Sequence, residues 1–365
     1  MALSVQPDET ALELLRRANR KPLRTGLAFF DEVLLPINSG GGGGDMRGVG
    51  RGDIVELYGP SGCGKSEVLI NVVVQSVLPA WLGGEESTAV YFDNDGRLSI
   101  LRLEQLLKEK IVSNKTFQVK NAAGGIGGAR REAGGSDSLV LENRVEALLV
   151  DCLRRLRVVR PSSLFELLAS IEVLRFELGH RAAVIAVDGV GSFYWQDKMA
   201  QGCGGEALMM QGAVVKALVR LVAERPIALF AAKTAIFGSR GSASDTEHRE
   251  YLPQVWQRAV TYRILLRRQQ RRPRSLRRQR GDGGEPDGAS AFSLFMARVS
   301  RPKGARSGAG SGAASGTGSG VGKGRAVATV EDRELFFFVV SDDGIHDVPA
   351  AATMGEVEEW GDERR

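Results

Sequence analysis

Gly59-Pro60-Ser61-Gly62-Cys63-Gly64-Lys65-Ser66 reads G-x-x-x-x-G-K-S, the pattern of a phosphate-binding loop. Asp53-Ile54-Val55-Glu56-Leu57-Tyr58 runs into it with strand character, and Ser66 to Val77 continues as an apolar, helix-compatible run. Strand, glycine loop and helix in that order are the setting the motif requires. Glycines let successive backbone amides curl around phosphate oxygens, and the helix N-terminus adds positive potential. In that setting Gly59, Pro60, Ser61, Gly62, Cys63 and Gly64 form the cradle, and Lys65 reaches the β- and γ-phosphates. The Ser66 hydroxyl ligates Mg2+, so the expected cofactors are ATP and Mg2+.

Outward from the loop, strand-like and helix-like stretches alternate. Ser87 to Asp93 reads as a buried strand, and Leu98 to Ile111 has helical spacing with Leu98, Leu101, Leu103, Leu106 and Leu107 on its apolar face. A helix around Glu142 to Leu153, a strand near Leu156 to Val159 and a helix from Ser163 to Leu178 follow. Ala182-Ala183-Val184-Ile185-Ala186-Val187-Asp188 is a near-continuous apolar run ending in an acid, as a central parallel strand requires. A helix from Leu208 to Val222 and a strand from Pro226 to Ala232 complete the alternation. The pattern predicts an α/β fold, a mostly parallel doubly wound sheet. Three later stretches, Val260 to Leu266, Phe292 to Val299 and Leu335 to Val340, have little helix between them and are expected to extend the sheet as antiparallel strands.

Composition is that of an ordinary soluble protein, with 43% hydrophobic and 25% charged residues in 365. No run of about 18 uncharged apolar residues occurs, so no membrane partner is expected. Met1 to Asp8 lacks a secretory h-region, and Cys63, Cys152 and Cys203 have neither disulfide-framework nor zinc-site spacing. The net charge of +5 is local. Arg267 to Arg280 holds eight arginines and no acid, and subtracting them leaves −3 on the rest. That run reads equally as a non-specific phosphate contact, a nuclear localisation signal or a solvated insertion. The expected organisation is an N-terminal segment, 1–47, with the glycine run Gly40 to Gly44, a core over 48–350, and a tail over 351–365. Glycine-, charge- and serine-rich composition marks about 121–138, 267–290 and 303–325 as disordered insertions in that core.

Asp188 is the expected acid that holds Mg2+ through water, and Asp93 and Asp95, after the next strand, are candidates to orient the attacking water. Thr25-Gly26-Leu27-Ala28-Phe29-Phe30-Asp31-Glu32-Val33-Leu34, followed by Gly52 to Gly59, resembles the opening of the ATPase core of RecA-type recombinases. Tyr91-Phe92-Asp93-Asn94-Asp95 with Leu101-Arg102-Leu103, then Val187 to Trp195 and Tyr251 to Gln257, resemble one group of eukaryotic recombinase paralogues. Ser192-Phe193-Tyr194-Trp195 is the most discriminating of these runs, and Phe336 to Ile345 resembles the family's last strand and turn.

The resemblance implies a RecA-like P-loop ATPase core and a nuclear role in homologous-recombination repair of double-strand breaks and replication forks. It implies work within a complex of recombinase paralogues, with a D-type paralogue as direct partner. Single-stranded or branched DNA would be met through that complex, which assists the main recombinase. Active members of the family carry glutamate where Asp95 stands, and glutamine where Thr234 stands as a γ-phosphate sensor. Aspartate is one methylene shorter and threonine has less reach, so ATP binding with weak or no DNA-dependent hydrolysis is expected, Asp95 being the catalytic candidate. About fifty residues precede the loop, too few for the family's helical DNA-binding domain. The two family DNA loops would be Gln196 to Gln211 and Phe237 to Glu250; both are mixed in charge and neither interleaves aromatics with cations. Two other readings remain: an active DNA-dependent ATPase of the same superfamily, and a P-loop kinase for a small molecule.

Overall fold

The computed structural model describes residues 22–32, 34, 48–114, 117, 136–178, 182–194, 205–237, 248–268, 293–300, 335–341 and 343–348. Helices α1 (Ala28–Asp31), α2 (Lys65–Val77), α3 (Ile100–Val112), α4 (Ser136–Arg154), α5 (Leu164–Glu177), α6 (Gly205–Glu224) and α7 (Gln254–Ala259) pack on a large sheet. Its strands are β1 (Ile54–Gly59), β2 (Thr88–Asp93), β3 (Leu156–Val159), β4 (Ala182–Asp188), β5 (Ala228–Thr234), β8 (Tyr262–Arg268), β9 (Ser293–Ser300), β10 (Leu335–Ser341) and β11 (Gly344–Val348). The short pair β6 (Ile236–Phe237) and β7 (His248–Arg249) forms a separate hairpin. Strand order in the nine-stranded sheet is β11-β10-β9-β8-β1-β5-β4-β2-β3.

The expected alternation is present, and its chemistry accounts for it. Every residue of β1 and of β4 is buried, because helices cover both faces of the central sheet. One core cluster joins the α2, α3 and α4 side of the sheet; a second joins the α5, α6 and α7 side. Local signals set the helix starts. Ser99 accepts a hydrogen bond from the Arg102 amide at 3.2 Å to begin α3. Ser163 does the same for the Glu166 amide at 3.2 Å, while the Glu166 carboxylate reaches back to the Ser162 amide at 2.8 Å. The acid thus ties down the residue before the N-cap rather than the N-cap amide that a capping box would use.

Four features depart from the sequence-based expectation. The strand at Tyr262–Arg268 is not antiparallel throughout: β8 pairs parallel with β1 and antiparallel with β9, so it is the hinge between the two halves of the sheet. A strand with no alternating apolar signal, β11, completes the antiparallel end through register with β10. Part of the N-terminal segment ahead of the expected core at 48 packs into it: Leu23, Leu27, Phe29, Phe30 and Leu34 are buried in the first cluster. Ser136 to Ser138 open α4, and Arg267 and Arg268 end β8, so the insertions expected over 121–138 and 267–290 each overlap an element. The rest of those insertions, the tract 303–325, the glycine run 40–44 and the tail 351–365 lie outside the described residues.

The antiparallel end underlies the phosphate loop. Gly64 sits at φ 87°, and a Cβ there would lie 3.5 Å from the Phe295 ring and 3.7 Å from Phe338. Those two rings stack at 5.3 Å with 16° between planes. Gly59 has a tighter constraint: a Cβ would fall 2.2 Å from the Leu266 carbonyl and 2.7 Å from Cys63 Sγ. Gly59→Ala is expected to cost about 1–3 kcal/mol by overpacking, read as a lowered urea midpoint. An unchanged midpoint would mean that β8 yields freely.

Candidate functional site

The proposed ligand residues gather at the carboxyl ends of the parallel strands, the side on which open α/β sheets bind ligands. Sheet register aligns Gly59 with Thr234, Asp188 with Ala232, and Asp93 with Asp188, so β1, β5, β4 and β2 end in one row. One strand, β5, separates the loop strand from the strand bearing Asp188. α2 starts at Lys65 directly behind the loop, with Gly64 as its left-handed N-cap, so its first amides face the row of strand ends.

Lys65 Nζ lies 3.1 Å from the Gly59 carbonyl, 2.7 Å from the Pro60 carbonyl and 3.5 Å from Cys63 Sγ. Cys63 is buried beneath the loop, and burial pushes its thiol up, which makes it packing and not a nucleophile. Ser66 donates a hydrogen bond to Asp188, which bridges the loop to β4. Tyr91 Oη donates to Asp188 Oδ2 at 2.9 Å. Burial raises the Asp188 carboxyl above its ordinary range; the hydrogen bonds from Ser66 and Tyr91 pull against that rise, and the nearby Asp95 and Asp93 add to it.

These residues fit Mg-ATP. The donor set is a hydroxyl and a carboxylate already in contact, the oxygen ligands that Mg2+ takes. Asn94 Oδ1, beside them at the end of β2, is buried without a hydrogen-bond partner while its Nδ2 donates to the Gly189 carbonyl at 3.0 Å. Among the described residues no cluster of three or more His, Cys, Asp or Glu side chains is arranged as a metal site, so a cation here would lean on water and phosphate oxygens.

The two candidate water-orienting acids separate. Asp93 is buried and occupied: it accepts from the Arg97 amide at 2.8 Å, the Leu98 amide at 3.2 Å and Arg160 Nε at 3.1 Å. It shapes the turn after β2. Asp95 is exposed, and Ser192 Oγ donates to it. Thr234 ends β5 beside Gly59 with an exposed side chain, and its carbonyl lies 3.4 Å from Tyr251 Oη.

Sequence reasoning missed a group of charges behind this row. Glu56 and Lys233 have fully buried side chains 3.2 Å apart. Glu250 lies 2.8 Å from Lys233 and 3.3 Å from Arg263, and Arg263 lies 3.4 Å from Glu56. The Trp256 indole N–H donates to Glu56. Glu56 and Lys233 occur within apolar strand runs, and an ionisable residue in such a run was the signal available. Glu250, counted in the second mixed-charge loop, is committed to this network. Gln211, assigned to the first loop, is instead a buried residue of α6 whose Nε2 donates to the Val190 carbonyl at 3.2 Å. Phe193 is in the second core cluster and Tyr194 packs on Tyr251 at 5.3 Å between ring centroids. Trp195, residues 196–204 and residues 238–247 lie outside the described residues.

No protein-family model matches the chain. It is 27% identical to the DNA repair protein XRCC2 of Mus musculus over 237 residues, covering 60% of this chain and 73% of that protein. It is 34% identical to the DNA repair protein RAD51 homolog 2 of Mus musculus over 106 residues, 28% of this chain and 27% of that protein. A crystal structure of the RadB recombinase aligns with a TM-score of 0.47 at 16% identity, over 83% of this chain and 94% of that one. Among the described residues no helix is long and apolar enough to cross a membrane.

Proposed function

We propose, from the premise that this chain belongs to the RecA-type recombinase superfamily, that it binds Mg-ATP chiefly as a structural ligand within a homologous-recombination repair complex. In this reading its direct partner is a D-type recombinase paralogue, its DNA contact is to single-stranded or branched DNA through the complex, and its compartment is the nucleus. The observation that carries the reading is the contrast within one site. Lys65 lies on the loop carbonyls and Ser66 meets Asp188, a set whose chemistry suits phosphate and cation. Asp95, by contrast, is a short acid already hydrogen-bonded to Ser192.

When bound, Mg2+ would screen the phosphate charges and polarise the γ-phosphoryl group. The chain's own part is to wrap phosphate oxygens with the amides of residues 59–66, to balance charge with Lys65, and to hold Ser66 in place through Asp188. Hydrolysis needs a carboxylate at hydrogen-bond distance from the attacking water. Asp95 has one methylene less than the glutamate of active relatives and a serine competing for its oxygen.

ATP binding and steady-state turnover, each with and without single-stranded DNA, test this. Binding without DNA-stimulated turnover is the expected result; brisk DNA-stimulated turnover would mean an active motor, and phosphate transfer to a small molecule would end the recombination reading. Asp95→Glu is expected to raise basal turnover by about ten- to a hundredfold, since an ångström of reach is worth that much rate. Turnover at the parental level would show that reach is not the limit. Co-purification with a tagged D-type paralogue tests the partner.

A further inference from the structure

We propose that Tyr91 is a positioning residue for the cation-binding acid, its phenol fixing the Asp188 carboxylate so that Asp188 and Ser66 address one divalent ion. The inference rests on the nucleotide reading above and deepens it. Tyr91 is on β2 and Asp188 ends the adjacent β4, where Tyr91 is in register with Ala186, two residues before the acid. Its ring is fully buried within the first core cluster. A phenylalanine would fill that space as well, and a buried hydroxyl is costly unless it is hydrogen-bonded. Asp188 Oδ2, at 2.9 Å, supplies the bond.

The consequence falls on the metal. A carboxylate that ends a strand has free rotation about its last bond unless something pins it. Here Ser66 and Tyr91 approach from two different elements, α2 and β2, and the Asn94 amide donates to the Asp188 carbonyl at 3.2 Å. Side chain and backbone are both held. A carboxylate has about four lone-pair directions, so two donors leave capacity for the water shell of a cation. Partners of this kind typically carry a 10- to 100-fold share of metal affinity. The motif reading singled out Tyr91 only as part of a resemblance; its role comes from the register of β2 against β4.

The test is Tyr91→Phe in the full chain, with a fluorescent ATP analogue titrated across Mg2+ concentrations and again in EDTA. The expected result is that the Mg2+ concentration for half-maximal binding rises about tenfold while affinity in EDTA stays at the parental value. An unchanged Mg2+ requirement overturns the proposal, and so does an equal loss in both buffers, which would mark Tyr91 as packing alone. Should Tyr91→Phe fold poorly, Tyr91→4-aminophenylalanine, which keeps a donor on the ring, supplies a second variant; it should keep the parental Mg2+ requirement, and a roughly tenfold rise in it would overturn the proposal. If the parental chain binds the analogue in neither buffer, the nucleotide reading fails with it; if the parental chain binds and only the Tyr91 effect is missing, the positioning role fails alone.

Discussion

Replacing Lys233 with methionine is expected to remove about 3–5 kcal/mol of folding stability, the usual effect of deleting one partner of a buried ion pair. The side chains of Lys233 and Glu56 have no solvent exposure, so the Glu56 carboxylate left behind could not recover hydration. Arg263 would remain within 3.4 Å of Glu56, but it also serves Glu250 at 3.3 Å, and one guanidinium would then face two acids. Methionine keeps the volume of the lysine stem, which isolates the charge from a cavity effect. Domains hold only about 5–15 kcal/mol in total, so the variant should melt early or accumulate as aggregate. A urea midpoint within the equivalent of about 1 kcal/mol of the parent would refute the network as drawn. Adding Glu56→Gln should restore much of the loss, because the remaining pair, Arg263 and Glu250, is neutral.

The second large effect is on ligand affinity. Lys65→Ala is expected to weaken ATP binding by roughly a hundredfold, the equivalent of about 3 kcal/mol for charged hydrogen bonds to phosphate. Stability should barely change, since the contacts Lys65 makes here are with acceptors of its own loop. Isothermal titration reads the affinity and a urea midpoint reads the stability. Association with a D-type paralogue should survive in part, and complete loss of that partner in a pull-down of the variant would refute partner contacts that are partly independent of the nucleotide. The contrast between the two lysines is instructive. Lys233 is held by acids and sustains the fold, whereas Lys65 is held by carbonyls that a phosphate can replace.

The parallel half of the fold was legible because its strands advertise themselves. A strand covered on both faces must be apolar along its whole length, and Ala182 to Val187 is. Helices with one polar face, such as α3, gave their limits through spacing, which set Leu98 to Ile111 where the helix runs Ile100–Val112. The loop residues and Asp188 followed from chemistry that allows few substitutes. What composition hid was pairing. Tyr262–Arg268 has the same strand character whichever neighbour it meets, so its parallel union with β1 came only from the sheet. Gly344–Val348 carries His346 and Asp347 in a short edge strand, with no periodic apolar signal to reveal it. The roles of Asp93 and Asp95 also depended on three dimensions. Asp93 ends β2 and Asp95 follows it, yet the amides four and five residues on claim the first and Ser192, from beyond β4, meets the second.

The rings of Phe295 and Phe338 beneath Gly64 have a temporal implication. Every residue of the cradle has been synthesised by position 66, but its floor is completed only when β10 arrives at Phe338. Asp347 then accepts from the Ala28 amide at 2.9 Å, and Arg102 donates to the Ser341 carbonyl at 2.6 Å, so late strands clasp early helices. At ribosomal rates of about 5–20 residues per second, the gap lasts on the order of tens of seconds. Throughout that interval the nascent chain holds a nucleotide motif without its foundation. Nucleotide can therefore act as a fastener only once the last strands are in place.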